Sequence, residues 1–303
     1  MRIGVDLGGT KMEAIVMGER SAILHRERRP TPREDYAATL RAIAELVSNA
    51  EAAVKASRPL PVGFGTPGAI SPATGRIKNA NSLCLNHQPL KEDIERVLAR
   101  PVRLANDADC LTLSEASDGA AAGARCVFGV ILGTGVGGGV VVDGKLLAGP
   151  NAIAGEWGHN PLPWPRPEWD EVPGPLGWDG RYGSIETYCS GTGLALDHQR
   201  VTGQKCSGEQ IVAAAEAGDA AAQATLSRLE DRLARALASI INVLDPHVIV
   251  AGGGLSRLDR LYRNVPKLWD AWVFSDRVDT KFVPAMHGDS SGVRGAAWLW
   301  PET

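Results

Sequence analysis

Gly4-Val5-Asp6-Leu7-Gly8-Gly9-Thr10-Lys11 and, more than a hundred residues later, Gly133-Thr134-Gly135-Val136-Gly137-Gly138-Gly139 decide how this chain folds. Each stretch follows a short apolar run (Ile3 to Val5; Val127 to Leu132) and leads into another (Met12 to Val16; Val140 to Val142). That pattern places each glycine cluster at the tip of a β-hairpin. Glycine there lets backbone N–H groups approach an anion with no Cβ in the way. One such hairpin in each half implies a phosphate chain gripped from two sides, and the competing expectation is a pair of ordinary tight hairpins.

Both stretches miss better-known nucleotide motifs in informative ways. Gly133 to Gly138 fits G-x-G-x-x-G, but the dinucleotide fold needs a helix opening from those glycines and an acid about twenty residues on. Val140-Val141-Val142-Asp143-Gly144-Lys145 follows instead, a strand running into a turn. Gly4 to Lys11 resembles a P-loop, but its order is Gly-Thr-Lys and no helix start follows.

Composition fits an enzyme with two domains in 303 residues. A net charge of −3 shows no basic bias, so neither nucleic acid nor an acidic membrane surface is an expected partner. No apolar run reaches spanning length and no signal peptide is expected. Five scattered cysteines without a CxxC pair point to a reducing, cytoplasmic setting.

The two halves repeat one pattern. Strands are expected at 2–7, 11–17 and 21–28, then a helix over 34–56, a strand at 61–66, a helix at 90–99, a strand at 102–105 and a helix at 107–118. The second half opens with strands at 126–132, 138–143 and 145–149. After an irregular insert come a helix pair across 208–244, a strand at 247–251, a helix at 257–271, a strand at 279–284 and a helix from 290. Two α/β halves around a cleft, each with a glycine hairpin, make a nucleotide-binding layout.

Asp6-Leu-Gly-Gly-Thr-Lys11, Asn106-Asp107-Ala108, Gly133 to Gly139, Gly155-Glu-Trp-Gly-His159 and Val248-Ile-Val-Ala-Gly-Gly-Gly-Leu255 together resemble the ROK family. That family groups bacterial sugar kinases with sugar-responsive repressors in the actin-like ATPase superfamily. The resemblance implies an α/β fold of two actin-like ATPase (ribonuclease H-like) domains around a central cleft. The first lobe would span 1–118, joined by a C-terminal helix at 290–303, and the second 119–289, with a sugar-binding insert at 150–190. Pro30-Thr31-Pro32-Arg33, Gly155 to Trp164 and His287 to Trp300 look most like bacterial fructokinases that also accept mannose. DNA-binding members carry a helix-turn-helix ahead of the first strand, and here that strand begins at the second residue, so a kinase is expected rather than a repressor.

Phosphoryl transfer needs a phosphate cradle, a divalent metal, a positioned hydroxyl and an acceptor for its proton. Asp107 follows a strand and begins a helix. By sequence alone a plain N-cap and a catalytic carboxylate are equally open for it, and the resemblance makes it the general base. Asp6 is the expected anchor for Mg²⁺, through water, because magnesium prefers oxygen ligands and keeps part of its hydration shell. The alternative for Asp6 is a solvent-facing hairpin carboxylate. Gly8, Gly9, Thr10, Lys11, Gly133, Thr134, Gly135 and Gly137 are the expected contacts of ATP phosphates, and Gly252, Gly253 and Gly254 of the adenosine. The resemblance maps sugar recognition onto Asn81, Asn106, Asp107, Glu156, His159 and Glu186, with Gly68 closing the pocket by backbone approach.

One departure from the family stands out. Most ROK kinases carry a Cys-x-Cys-Gly-x-x-Gly-Cys-x-Glu segment whose cysteines bind a structural zinc with a histidine. The matching stretch here is Gly177-Trp178-Asp179-Gly180-Arg181-Tyr182-Gly183-Ser184-Ile185-Glu186, with no thiol, so no structural zinc is expected. The insert from Asn160 to Gly180 is rich in proline and tryptophan, which could hold His159 and Glu186 instead; the alternative is a disordered loop. The combined expectation is a homodimeric, ATP- and Mg²⁺-dependent hexose kinase, a fructokinase acting on O6. Glucokinase, N-acetylglucosamine or N-acetylmannosamine kinase, and a non-catalytic sugar sensor are the alternatives.

Overall fold

The computed structural model describes residues 1–32, 34–80 and 82–301. In chain order the elements are β1 (Arg2–Leu7), β2 (Lys11–Met17), β3 (Ile23–Pro30), α1 (Tyr36–Ala53), β4 (Val62–Thr66), β5 (Ala69–Ile70), β6 (Ile77–Lys78), α2 (Leu90–Leu98), β7 (Val102–Asn106) and α3 (Asp107–Asp118). There follow β8 (Cys126–Leu132), β9 (Val136–Val142), β10 (Lys145–Leu146), α4 (Glu186–Cys189), α5 (Gly191–Thr202), α6 (Gly208–Glu216), α7 (Ala220–Leu244), β11 (Val248–Gly252), α8 (Asp259–Asn264), β12 (Lys281–Pro284) and α9 (Ser291–Trp298). One sheet runs β3-β2-β1-β4-β7 and the other β10-β9-β8-β11-β12, so the repeat expected from the sequence is present in the strand order. In the first sheet β1, β2 and β3 pair antiparallel, and β4 and β7 add parallel to β1.

The chain divides into two compact units. The first holds residues 1–123, 139–154 and 286–303, and the second 124–138 and 155–285. The division falls within β9, whose Gly139 and later residues belong to the first unit.

The first unit is built by burying one side of each element. Helix α1 is capped by Asp35, whose carboxylate accepts the Ala38 N–H. It buries Ile43, Leu46, Val47 and Ala50, a spacing that lies on one helical face. Ile3, Val5, Val62 and Phe64 supply the sheet side of that core. Helix α9 covers the sheet's other face at backbone distance, because glycines remove the side chains in between. A Cβ on Gly63 would lie 1.9 Å from the Ala296 carbonyl oxygen, and one on Gly295 would lie 1.7 Å from that of Cys110 in α3. The start of α9 is tied to α3 by the buried Glu115, whose carboxylate accepts the N–H of Met286 and His287 and the Ser291 hydroxyl.

Departures from the expected boundaries have local causes. Strand β3 begins at Ile23 rather than residue 21 because Arg20 and Ser21 take positive φ in a turn closed by Gly18 N–H to Ala22 O. The helix expected over 257–271 stops at Asn264, and Pro266 then opens a separate 3-10 stretch. Helix α5 was not anticipated: glycines at 191 and 193 mask its start, which Ser190 caps by accepting the Gly193 N–H.

Gly295→Ala is expected to lower the urea midpoint, since overpacking typically costs about 1–3 kcal/mol. Gly149→Ala, whose Cβ would meet nothing within 4 Å, is the control and should change stability by less than about 0.5 kcal/mol.

Candidate active site

In the first unit the Gly8–Thr10 loop joins β1 to β2 as a hairpin tip. The Thr31 hydroxyl donates to the Gly8 carbonyl at 2.6 Å and the Thr31 N–H to the Thr10 carbonyl at 3.1 Å, which fixes the tip. Asp6 stands at the end of β1. Gly65 and Gly292 face its carboxylate, where a Cβ on either would lie in ordinary contact, 3.8 and 3.4 Å from the Asp6 oxygens. Burial pushes the Asp6 carboxyl up to about 6; the charges of Asp107 and then Glu13 add to the rise, and Lys11 opposes it. A carboxylate kept short of water beside a second acid is a natural seat for a hard divalent cation. The donors present fit magnesium: Asp6 would hold it, with Asp107 close enough to perturb Asp6 electrostatically.

Asp107 is not the cap of α3. Asn106 is, its Oδ1 accepting the Asp109 N–H at 2.6 Å. Asp107 is thereby left as the first helical residue, with its Oδ1 accepting the Ala108 N–H at 2.9 Å. Desolvation raises its pKa, and backbone hydrogen bonds from Ala108 and from its own N–H pull the other way. The net rise strengthens it as a base, and the helix N-terminus favours its charged form. Asn106 also lines, with Thr66 and Gly68, a cavity of about 230 Å³. Gly68 takes φ +72° and backs onto Lys78 and Ala80, where a Cβ would meet the Lys78 carbonyl at 2.4 Å. Asn81 lies outside the described residues, as does Arg33.

In the second unit Gly133 and Thr134 line a cavity of about 760 Å³ together with Gly254, Leu255 and residues of α5 and α6. Gly253, at φ +87°, crosses directly over Leu132, where a Cβ would lie 2.6 Å from that carbonyl. The N-terminus of α5 docks onto the hairpin. The Gly191 N–H donates to Gly133 O at 2.7 Å and the Thr192 hydroxyl to Thr134 O at 3.0 Å. Gly191, Thr192, Ala195, Ser207 and Val212 therefore join the cavity wall without having been singled out. The run Ser190-Gly191-Thr192-Gly193, a capped helix start, was the available signal. Gly137, expected at the phosphates, sits inside β9, where its carbonyl accepts the Trp157 indole N–H. Gly252 is the buried last residue of β11.

Glu156 and His159 bracket a 3-10 turn, Oε2 to Nε2 3.8 Å. His159 Nδ1 lies 3.4 Å from Asp179 Oδ2, and the Trp178 ring stands edge-on to the imidazole at 5.6 Å. Glu186 accepts the Trp178 indole N–H at 2.9 Å on one oxygen and the Val136 N–H at 2.9 Å on the other. Gly135 is needed there, for a Cβ would come 2.5 Å from Glu186 Oε2. Among the described residues no three His, Cys, Asp or Glu side chains are placed to hold a metal. Gly177, Asp179 and Ser184 carry no thiol. The 160–185 segment is ordered by its own backbone, with Leu162 N–H to Gly183 O at 2.8 Å and Ile185 N–H to Asn160 O at 2.9 Å.

The segment His287 to Trp300, which resembles fructokinases, is occupied with packing. His287 Nε2 lies 3.0 Å from Asp118, Arg294 pairs with the same carboxylate, and Gly292 faces Asp6.

The folded pKa of Asp6, about 6, lies above its ordinary 3.8. Its contribution is present below the lower value and lost as pH rises through the upper one, up to about 3 kcal/mol for two pKa units. Asp6→Asn is therefore expected to raise the Tm at pH 8 and leave it little changed at pH 4, which thermal melts at both values would measure.

Comparison with known proteins agrees with this geometry. An N-acetyl-D-glucosamine kinase of Pasteurella multocida (strain Pm70) is 38% identical over 309 residues, covering 99% of each chain. The structure of a ROK hexokinase from Thermus thermophilus superposes with a TM-score of 0.86 at 29% identity, covering 98% of this chain and 96% of that one. A ROK glucokinase from Streptomyces griseus, solved with glucose and AMPPNP, gives 0.76 at 28% identity and 98% coverage of both. These relatives lend no support to the expected tie to fructokinases. The ROK family pattern matches residues 2–303, and the chain belongs to the ROK family, among its sugar kinases.

Proposed function

We propose that this protein is an ATP-dependent kinase that phosphorylates the primary hydroxyl, O6, of N-acetyl-D-glucosamine. The observation that carries the sugar is 38% identity along the whole chain to kinases named for it. ATP is supported by the related glucokinase solved with AMPPNP and by the glycine-walled cavity at Gly133 and Gly254.

The phosphates are assigned to the Gly8–Lys11 tip and to Gly133 and Thr134 beside the N-terminus of α5, since glycine hairpins and helix starts favour anions. Gly252 to Gly254 and the α5–α6 wall are assigned to the adenosine. Magnesium held by Asp6 would neutralise charge on the transferring phosphoryl group. Asp107 takes the proton from the sugar hydroxyl. The hydroxyl oxygen bonds to the γ-phosphorus, and the bond to the departing ADP breaks. The Ala108 N–H fixes the carboxylate for this step. Sugar hydroxyls are assigned to Asn81, Asn106 and Gly68 in the first unit and to Glu156, His159 and Glu186 in the second. A homodimer in the cytoplasm belongs to the same proposal.

Fructose is the second substrate to test, because Gly155 to Trp164, which holds Glu156 and His159, resembles fructokinases. A coupled ADP-release assay on N-acetylglucosamine, N-acetylmannosamine, glucose, mannose and fructose should give the largest kcat/KM with N-acetylglucosamine. A larger value with fructose would replace that substrate, and no turnover on any sugar would overturn the kinase. Asp107→Asn should fold normally and lose at least about 10²-fold in kcat.

A further inference from the structure

The three side chains assigned to sugar in the second unit hang on a loop that would have to be held rigid to be of use. Helix α7 presents Arg228, Arg232 and Arg235 at a spacing that lies on one stripe. Arg235 is fully buried and donates to the carbonyl oxygens of Pro163, at 3.0 Å, and Trp164, at 2.8 Å. Arg232 and Arg235 both donate to Glu171 Oε1, at 2.7 and 3.0 Å. The other Glu171 oxygen accepts the Arg166 N–H at 2.7 Å, and the Arg166 side chain reaches Asp231 on α7. Glu171, with Arg235 and Asp231 of α7, thus ties the stretch from Pro163 to Glu171 to the helix. Burial alone would raise its pKa, but the hydrogen bonds from Arg235, Arg232 and the Arg166 N–H hold it below the ordinary range.

From that anchor the chain runs on to Trp178 and Asp179. Trp178 is 70% exposed, so burial of its indole does not account for its position. Its N–H is engaged by Glu186, and Asp179 faces His159. A buried ion cluster is seldom worth more to stability than apolar residues of the same shape, but it fixes geometry, since moving either partner leaves a buried charge unmet.

We propose that Glu171, Trp178 and Asp179 are positioning residues for the sugar. Glu171 moors the 160–185 loop to α7, and Trp178 and Asp179 lock the rotamers of Glu186 and His159, so that this sugar site is built without a metal. The inference rests on the sugar role proposed above for those two side chains. Trp178→Phe and Asp179→Asn remove one polar contact each at the surface. Each should raise the sugar KM by about 3–10-fold, with the ATP KM and the Tm unchanged. Glu171→Gln should increase hydrogen exchange at the Gly177, Gly183 and Ile185 amides, which close the loop, while amides of β1 and β4 keep their protection. Glu171→Asp, which retains the charge with a shorter reach, gives the same readout if the amide variant does not fold. A sugar KM within twofold of the parent in both surface variants, unchanged exchange in the Glu171 variants, or stoichiometric zinc by elemental analysis would each overturn the proposal. If the parent turns over no sugar the proposed function fails, and hydrogen exchange then decides the mooring role by itself.

Discussion

The close approach of α9 to the first sheet is the constraint on which the placement of Asp6 and Asp107 depends. Ordinary side chains keep packed layers well apart, about 10 Å for two stacked sheets. Here Gly4, Gly63 and Gly295 bring the backbones together, with Gly4 facing Val293 and Ala297. That proximity sets Gly292 against Asp6 and Gly295 against Cys110 in α3, the helix whose first residue is Asp107. The two acids are neighbours because three backbones pack without side chains between them. Glu115 completes the arrangement by holding the chain where it enters α9.

Buried charge is handled in two opposite ways. Glu171 receives two guanidinium groups and a backbone N–H, so its charged form is fully matched and the structure around it is stiff. Asp6 has Lys11 as its favourable charge and two acids against it, and its carboxyl rises to about 6. Glu171 serves to position chain segments.

Much of the fold was legible because glycine, proline and apolar periodicity are local signals. The hairpin at Gly8–Thr10, the amphipathic α1 and the run Val248 to Gly254 each follow from their own residues. Helix α5 escaped because a glycine-rich start reads as loop until the capping Ser190 is weighed. The candidate site was legible through Asp6, Asp107, Glu156 and His159. Assigning the cap of α3 required the structure, since Asn106 and Asp107 are equally good caps on paper and only the hydrogen bond from Asp109 separates them. The identity of the sugar was the least legible feature. The relatives matched along the whole chain are N-acetyl-D-glucosamine kinases, which the local likeness of His287 to Trp300 did not indicate.

By itself the sequence determined the class of fold and the two glycine-tipped hairpins. These are matters of residue type at short spacing, which local backbone chemistry translates directly. Tertiary structure alone brought arginines on α7 to Glu171, about sixty residues away in sequence, and the Trp178 indole nitrogen to Glu186. Such partners are chosen by three-dimensional reach and by the need to satisfy each buried charge, and no pattern along the chain records that choice.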